Sequence, residues 1–283
     1  MCAKNIIRIY PNPGLQIRKL WGSIRGLPKS DRNDLEYAKQ LLENPGLAAR
    51  ITDVLGKPIE KGFELLPDKF QSKITGITED VMKKSLDAAL WTLDEKNSGL
   101  SSDGWHKIVV ALSGGVGGAF GLPALAPELL FSTTIMLRSI GDIARSEGED
   151  LRIISTKLEC LNVFAFGGES GSDDAAESGY FVIRSALASA VAEAAQHIAK
   201  KGIAEEGAPV LVRLITKIAA RYEIVVTEKV AGQAIPIIGA AGGAIINTLF
   251  LNHFQDMAHG HFTVRRLERK YGEKLIRTEY EKI

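Results

Sequence analysis

The chain has 283 residues, 45% of them hydrophobic, so it can bury a sizeable core as one domain or two. Its 35 basic and 34 acidic residues nearly cancel, which excludes the global field that gathers nucleic acid. Only Cys2 and Cys160 occur, which excludes a disulfide framework and indicates a reducing compartment. The N-terminal stretch MCAKNIIRIYPNPG lacks the apolar run of a secretory signal, so we expect a cytoplasmic protein.

Helical spacing of apolar residues dominates the chain and strand-like alternation is nearly missing, which predicts an all-α, multi-helix globular bundle. Residues 1–96 hold most of the helix-breaking Pro and Gly pairs, so we expect an irregular N-terminal helical region with one amphipathic helix over 68–94. Residues 97–283 form the predicted helical core, unless the two regions make one continuous domain. Helices are predicted there over 127–146, 151–166, 180–201 and 209–229.

Two uncharged runs, residues 108–127 and 230–255, are long enough to span a bilayer. Their glycines, prolines and asparagines make them less apolar than a typical span, which favours burial inside a globular helical fold. Glycines one helical turn apart allow close approach of a second helix, so we expect the two runs to pack centrally against each other. The predicted packing residues are Gly114, Gly117, Gly118, Gly121, Gly239 and Gly243.

Two carboxylates are weak catalytic candidates. Glu128 lies at the edge of an apolar run, where a carboxylate suits general acid–base chemistry, although the start of a helix after Pro127 explains it as well. Asp142 lies between Arg138 and Arg145 at spacings that also suit a salt-bridge stripe. Neither carboxylate identifies a reaction.

The stretch HFQDMAHGHF concentrates possible metal ligands, namely His253, Asp256, His259 and His261. On a continuous helix the three rings diverge, so they converge on a divalent metal only if Gly260 breaks the helix. No other cofactor is expected, because Phe120 stands where a dinucleotide-binding glycine motif needs its third glycine.

A basic helix is predicted after the second uncharged run, with six basic and two acidic residues over 264–277. Such a helix suits an anionic membrane surface or a membrane transporter component, and a solvated helix face is the alternative. The residues expected to make this contact are Arg265, Arg266, Arg269 and Lys270. Nucleic acid is not an expected partner, because Tyr271 is the only aromatic residue among these charges.

Three segments together resemble the EcsC protein family: GGVGGAFGLPALAPELLFSTTIMLRSIGDIARSEGEDL, GYF at 179–181, and IPIIGAAGGAIINTLFLNHFQDMAHGHFTVRRLERKYG. The resemblance covers roughly residues 80–283. It implies a bacterial, mostly helical protein whose namesake is encoded beside an ABC transporter linked to protein secretion. It implies no catalytic residues.

Three functions fit these observations. The first is a non-enzymatic cytoplasmic or peripheral-membrane helical protein, associated with an ABC transporter or with secretion. The second is a metal-dependent hydrolase that uses the histidine cluster. The third is a protein that binds lipid or another hydrophobic ligand between the two glycine-containing runs.

Overall fold

The computed structural model describes residues 26–43, 46–56, 59–66, 70–93, 121–168, 179–202, 208–235 and 239–283. Within these ranges the chain forms ten α-helices and no strand, which confirms the all-α prediction. The helices are α1 (Lys29–Glu43), α2 (Leu47–Leu55), α3 (Glu60–Glu64), α4 (Phe70–Thr92), α5 (Gly121–Ser146), α6 (Ile154–Asn162), α7 (Gly179–Lys201), α8 (Pro209–Ala234), α9 (Gly239–Tyr271) and α10 (Glu273–Lys282).

The helix predicted over 127–146 begins earlier than expected, at Gly121, so Pro127 lies inside α5. A proline there removes one backbone hydrogen bond. Leu125 and Leu129 are buried on either side of it, and packing of this apolar face holds the helix through the proline. The segment predicted over 151–166 is instead a shorter α6 followed by a 3₁₀ turn, Val163–Ala165.

The long helices α5 and α9 run parallel to each other. Gln255 of α9 donates a hydrogen bond to Ser139 of α5 (2.8 Å), and farther along α9 Arg265 binds Glu149, which lies just past the end of α5 (2.7 Å). Both helices therefore begin at the same end of the molecule, which we call the glycine end. The helix α8 runs antiparallel to α5, so its last turns lie beside the first turns of α5.

Helices from both predicted regions share one buried core. Leu35 of α1 and Ile74 of α4 belong to the same cluster as Phe254 and Leu267 of α9. The helix α1 lies antiparallel along α9, and α4 packs against α5 and α8. The division at residue 96 stays a prediction.

Among the described residues, Gly62 and Gly260 allow close contact between helices, and the close packing predicted at six other glycines stays a prediction. A Cβ on Gly62 of α3 would lie 2.1 Å from the carbonyl oxygen of Ala231 in α8. A Cβ on Gly260 of α9 would lie 2.6 Å from Leu42 Cγ in α1. Of the predicted packing residues, Gly121 begins α5, Gly239 and Gly243 lie in the first turns of α9, and Gly114, Gly117 and Gly118 lie outside the described residues.

Candidate functional site

A buried ion pair lies near the glycine end. Lys229 of α8 is fully buried, and its Nζ donates a hydrogen bond to Glu128 Oε1 of α5 (2.7 Å). The same ammonium lies 4.6 Å from the centre of the Phe250 ring. Burial lowers the pKa of Lys229, and the carboxylate of Glu128 partly counteracts that effect. Glu128, whose side chain is 23% exposed, thus balances a buried charge.

The second catalytic candidate is not brought near the first. Asp142 is exposed and pairs with Arg145 (2.5 Å), as its spacing allows on a helix surface. It lies about 21 Å along α5 from Glu128. Arg145 also donates to the carbonyl of Leu93 at the end of α4 (3.2 Å), so this pair ties two helices together.

The four predicted metal ligands point in different directions. The helix α9 continues unbroken through Gly260, so its histidine rings diverge. His253 and His261 are buried, whereas His259 is exposed. Asp256 binds Arg50 of α2 (2.7 Å). In the part of the chain that the structure describes, no three His, Cys, Asp or Glu side chains lie close enough together to hold a metal ion.

His253 forms part of the core. Neither of its ring nitrogens has a hydrogen-bond partner, and burial, together with the nearby Arg50, lowers its pKa to about 3. The ring lies against Gly167, where a Cβ would approach Nε2 to 2.2 Å. Gly167 has φ of +81°, so both its backbone conformation and its contact with His253 require glycine. His253 is therefore a neutral imidazole at neutral pH.

His261 belongs to a buried polar network that joins α6, α7 and α9. The hydroxyl of Tyr180 and His261 Nδ1 are 2.9 Å apart, and His261 Nε2 lies 3.3 Å from a carboxylate oxygen of Glu159. The second contact does not meet hydrogen-bond geometry. Arg184 donates two hydrogen bonds to Glu268, both 2.7 Å. Burial lowers the pKa of His261, so its imidazole is also neutral.

Sequence reasoning did not find this network. Tyr180 was part of the GYF segment and the first residue of a predicted helix, and no local signal linked it to His261. His261 lies 81 residues from Tyr180, and Glu268 lies 84 residues from Arg184. Only the fold brings these groups together.

The four cations predicted to meet a membrane all have carboxylate partners within the protein. Arg265 binds Glu149 (2.7 Å), Arg266 binds Glu147 (2.6 Å) and Asp34 (2.9 Å), Arg269 binds Glu149, and Lys270 binds Asp31 (2.6 Å). Arg265 also lies 3.6 Å from Glu159, so the four cations face five carboxylates and have no excess of positive charge. Arg269 and Lys270 keep the most exposure, 41% of each side chain.

Exposed apolar side chains surround the glycine end. Ile51 of α2 and Ile246 of α9 pack against Gly232, and Gly62 packs on the preceding residue of α8. The neighbours of these contact residues that point outward are Val54, Phe63, Leu65 and Ile245. This end of the molecule therefore presents apolar surface to its surroundings.

Among the described helices, none combines the length and the apolar character that crossing a bilayer requires. The family model of the EcsC protein family matches residues 30–267. The chain belongs to the EcsC protein family. The match begins in α1, well before residue 80, so the N-terminal helices are part of the EcsC region rather than an addition to it. No curated protein and no solved structure is significantly similar to this EcsC chain.

Proposed function

We propose that this EcsC protein is a non-enzymatic helical protein that binds its partners at the cytoplasmic face of a membrane. One observation carries the proposal: of the predicted catalytic and metal-binding residues, Glu128 and Asp256 form ion pairs between helices, and His253 is buried in the core. Glu128 balances Lys229, and Asp256 balances Arg50. Burial also raises the pKa of the Cys160 thiol, which makes it a poor nucleophile.

The proposed partners are an anionic membrane surface and a component of a membrane transporter. The EcsC resemblance supports the transporter, since the family's namesake is encoded beside one. The exposed parts of Arg269 and Lys270 support the membrane surface, because a guanidinium has more donors than its contact with Glu149 uses.

Cell fractionation tests this proposal. We expect the expressed protein in the membrane fraction at low salt and its release at about 0.5 M salt, where exposed charges are screened. Recovery in the soluble fraction at low salt would contradict the membrane location. Retention after the salt wash would contradict attachment by charge.

Elemental analysis tests the alternative function, that of a metal-dependent hydrolase. The four histidine-cluster residues are not brought together in the structure, so we expect no stoichiometric metal in the purified protein. A divalent ion at one per chain, lost when His253 and His259 are both replaced by Ala, would contradict a non-enzymatic role.

The second candidate function is binding of lipid or another hydrophobic molecule. It is favoured by the apolar side chains at the glycine end, where Phe63 of α3 and Ile245 of α9 are exposed. Native mass spectrometry of gently purified protein would show a retained ligand. Phe63→Ser with Ile245→Ser should release it, whereas Ile153→Ser, an exposed apolar residue elsewhere, should not.

A further inference from the structure

Two layers of polar side chains lie between α5, α8 and α9 near the glycine end. The inner layer is the buried Lys229 with Glu128, whose Oε1 lies 2.7 Å from the ammonium, beside the ring of Phe250. The outer layer is Gln233 of α8 with Asn247 of α9, joined by a hydrogen bond of 3.4 Å from the first side chain to the second. Gln233 follows Lys229 by four residues and Asn247 precedes Phe250 by three, so the layers are about one helical turn apart.

The inner layer has hydrogen-bonding capacity that its neighbours do not use. An ammonium has three donors, and within the described part of the chain Lys229 has one acceptor, Glu128 Oε1. The face of the Phe250 ring, 4.6 Å away, attracts the charge but is a weak substitute for an acceptor oxygen. Glu128 Oε2 has no donor among the same residues. The pair can therefore bind a group that both donates and accepts a hydrogen bond, such as a hydroxyl.

The outer layer adds two amides that are accessible from the surface. Gln233 and Asn247 are half-buried, and their mutual hydrogen bond is long. Each amide has two N–H donors and a carbonyl acceptor, so this single contact leaves donors and acceptors on both side chains. Polar groups thus lead inward from the half-exposed amides to the buried ammonium.

Exposed apolar side chains border the outer layer. Ile245, which is exposed, lies two residues before Asn247 on α9. Phe63, also exposed, follows Gly62, which packs on Ala231 of α8. A few convergent polar groups beside apolar surface are typical of sites that bind small amphiphilic molecules.

The charges of the inner layer discriminate between headgroups. Lys229 and Glu128 neutralise each other, and the outer layer carries no charge. A carboxylate or phosphate head would lie beside the carboxylate of Glu128, and an ammonium head would lie beside Lys229, so either would meet a like charge in a largely buried place. An uncharged head with hydroxyl groups avoids both costs, and it supplies a donor for Glu128 and an acceptor for Lys229.

We propose that the two polar layers bind the uncharged, hydroxyl-bearing head of an amphiphile whose apolar tail lies over the exposed side chains of Phe63 and Ile245. The inference rests on the second candidate function, the binding of a hydrophobic molecule, and names the class of head that this site selects. Lys229 and Glu128 then bind ligand as well as joining two helices.

Equilibrium dialysis of the full-length protein against amphiphiles that share one dodecyl chain tests this inference. The probes are monolauroylglycerol, laurate and dodecylammonium, each below its critical micelle concentration. We expect monolauroylglycerol to bind at one per chain and at least about tenfold more tightly than either charged probe, because each charged head meets a like charge. Equal affinity for the three probes would overturn the proposed selection.

Lys229→Met tests whether the inner layer sets this selection. The variant leaves the carboxylate of Glu128 without a counter-charge. Dodecylammonium should then bind about tenfold more tightly than to the unaltered protein, whereas monolauroylglycerol should bind about fivefold more weakly, since one hydrogen bond is lost. A purely structural ion pair would leave the order of the three affinities unchanged, and that result would overturn the inference.

The outer layer is tested by Gln233→Leu with Asn247→Leu. This variant should bind monolauroylglycerol about tenfold more weakly, because it removes the accessible amides. Its matched control, Asn252→Leu with Gln255→Leu, makes the same chemical change farther along α9, where Gln255 contacts Ser139, and should alter the affinity by about twofold or less. Equal losses in the two variants would contradict the placement of the head.

The outcomes separate this inference from the function on which it rests. If none of the three amphiphiles binds, the binding of hydrophobic molecules fails as a function and this inference fails with it. If they bind without preference for the uncharged head, or if Lys229→Met leaves their order unchanged, only the inference is overturned. The membrane location is not at stake in these measurements, because dialysis contains no bilayer.

Discussion

Replacing Glu128 by Gln should destabilise the protein far more than replacing its partner Lys229 by Met. The Gln variant leaves a fully buried ammonium without its counter-charge. Removing one member of a buried pair costs about 3–5 kcal/mol. We expect about 3 kcal/mol, the lower end, because Glu128 is 23% exposed and water reaches that side of the pair. In a chain of this size the melting temperature should fall by about 6–10 °C.

The Met variant removes the buried charge itself. The new side chain is apolar, has a similar length and can pack on Phe250, while Glu128 turns to water. We expect a change within about 1 kcal/mol, because an apolar residue commonly replaces a buried charge at little cost. The double variant should resemble Lys229→Met alone.

The loss caused by Glu128→Gln should shrink as pH rises. Burial lowers the pKa of Lys229 below its unfolded value, so the unfolded chain binds more protons and stability rises with pH between the two values. Glu128 raises that pKa, so the pKa of Lys229 is lower in Glu128→Gln. The pH range over which stability rises therefore begins at a lower pH in the variant. Between pH 7 and pH 9 the variant should gain more free energy of unfolding than the wild type.

Urea unfolding followed by circular dichroism at pH 7 and pH 9 measures these differences. Equal stability of Glu128→Gln and Lys229→Met at pH 7 would show that the buried ammonium does not depend on its counter-charge. A deficit that stayed constant from pH 7 to pH 9 would also contradict the prediction, since Lys229 would then titrate alike in both proteins.

Three further outcomes are expected from the contacts in the core. Gly62→Ala should cost at least about 2 kcal/mol in urea unfolding, because its Cβ would lie 2.1 Å from a backbone carbonyl, whereas Gly76→Ala in α4, with nothing within 4 Å, should gain about 0.5–1 kcal/mol. The pKa of His253 is lowered to about 3, so the stability of the protein falls as pH drops below about 6.5. His253→Leu should reduce the loss of stability between pH 7 and pH 5 by about 2 kcal/mol, measured by thermal unfolding. An unchanged pH profile of stability in this variant would contradict the prediction. Arg184→Gln should cost about 2–4 kcal/mol of stability, because it leaves the carboxylate of Glu268 unpaired. Arg184→Lys should restore less than half of that stability, because lysine cannot make the two parallel hydrogen bonds. Equal stability of the two variants would contradict the paired geometry.

Most helices were predictable because their signals are local. The helix predicted over 180–201 is observed over Gly179–Lys201, and the one predicted from 209 begins at Pro209. Boundaries that depend on packing were not predictable. The extension of α5 back through Pro127 rests on buried leucines whose partners lie in other helices.

Gly260 shows why local sequence could not decide the histidine cluster. A glycine in a helical pattern either breaks the helix or makes room for a neighbouring backbone. Gly260 makes room for a neighbouring backbone, that of Ala38 in α1. The carbonyl oxygen of Ala38 would lie 2.9 Å from a Cβ added at Gly260. Nothing near residue 260 in the sequence specifies that contact.

Polar contacts within one helix were predictable from the sequence, whereas those between distant segments were not. The Asp142–Arg145 pair follows from spacing on one helix and was expected as a salt-bridge stripe. Arg266 binds Glu147 and Asp34, which lie 119 and 232 residues away, so its partners are set by the parallel α5–α9 pair and by α1. Sequence reasoning therefore recognised the cations without their carboxylates.

The central claim is that this EcsC protein works at an anionic membrane surface to which charge attracts it. The most direct measurement is the partition of the unaltered full-length protein onto phosphatidylserine-containing vesicles as salt is raised from about 0.05 to 0.5 M. We predict strong partition at the low end and a steep fall across the range. Partition that is absent at low salt, or that is insensitive to salt throughout, would contradict the claim.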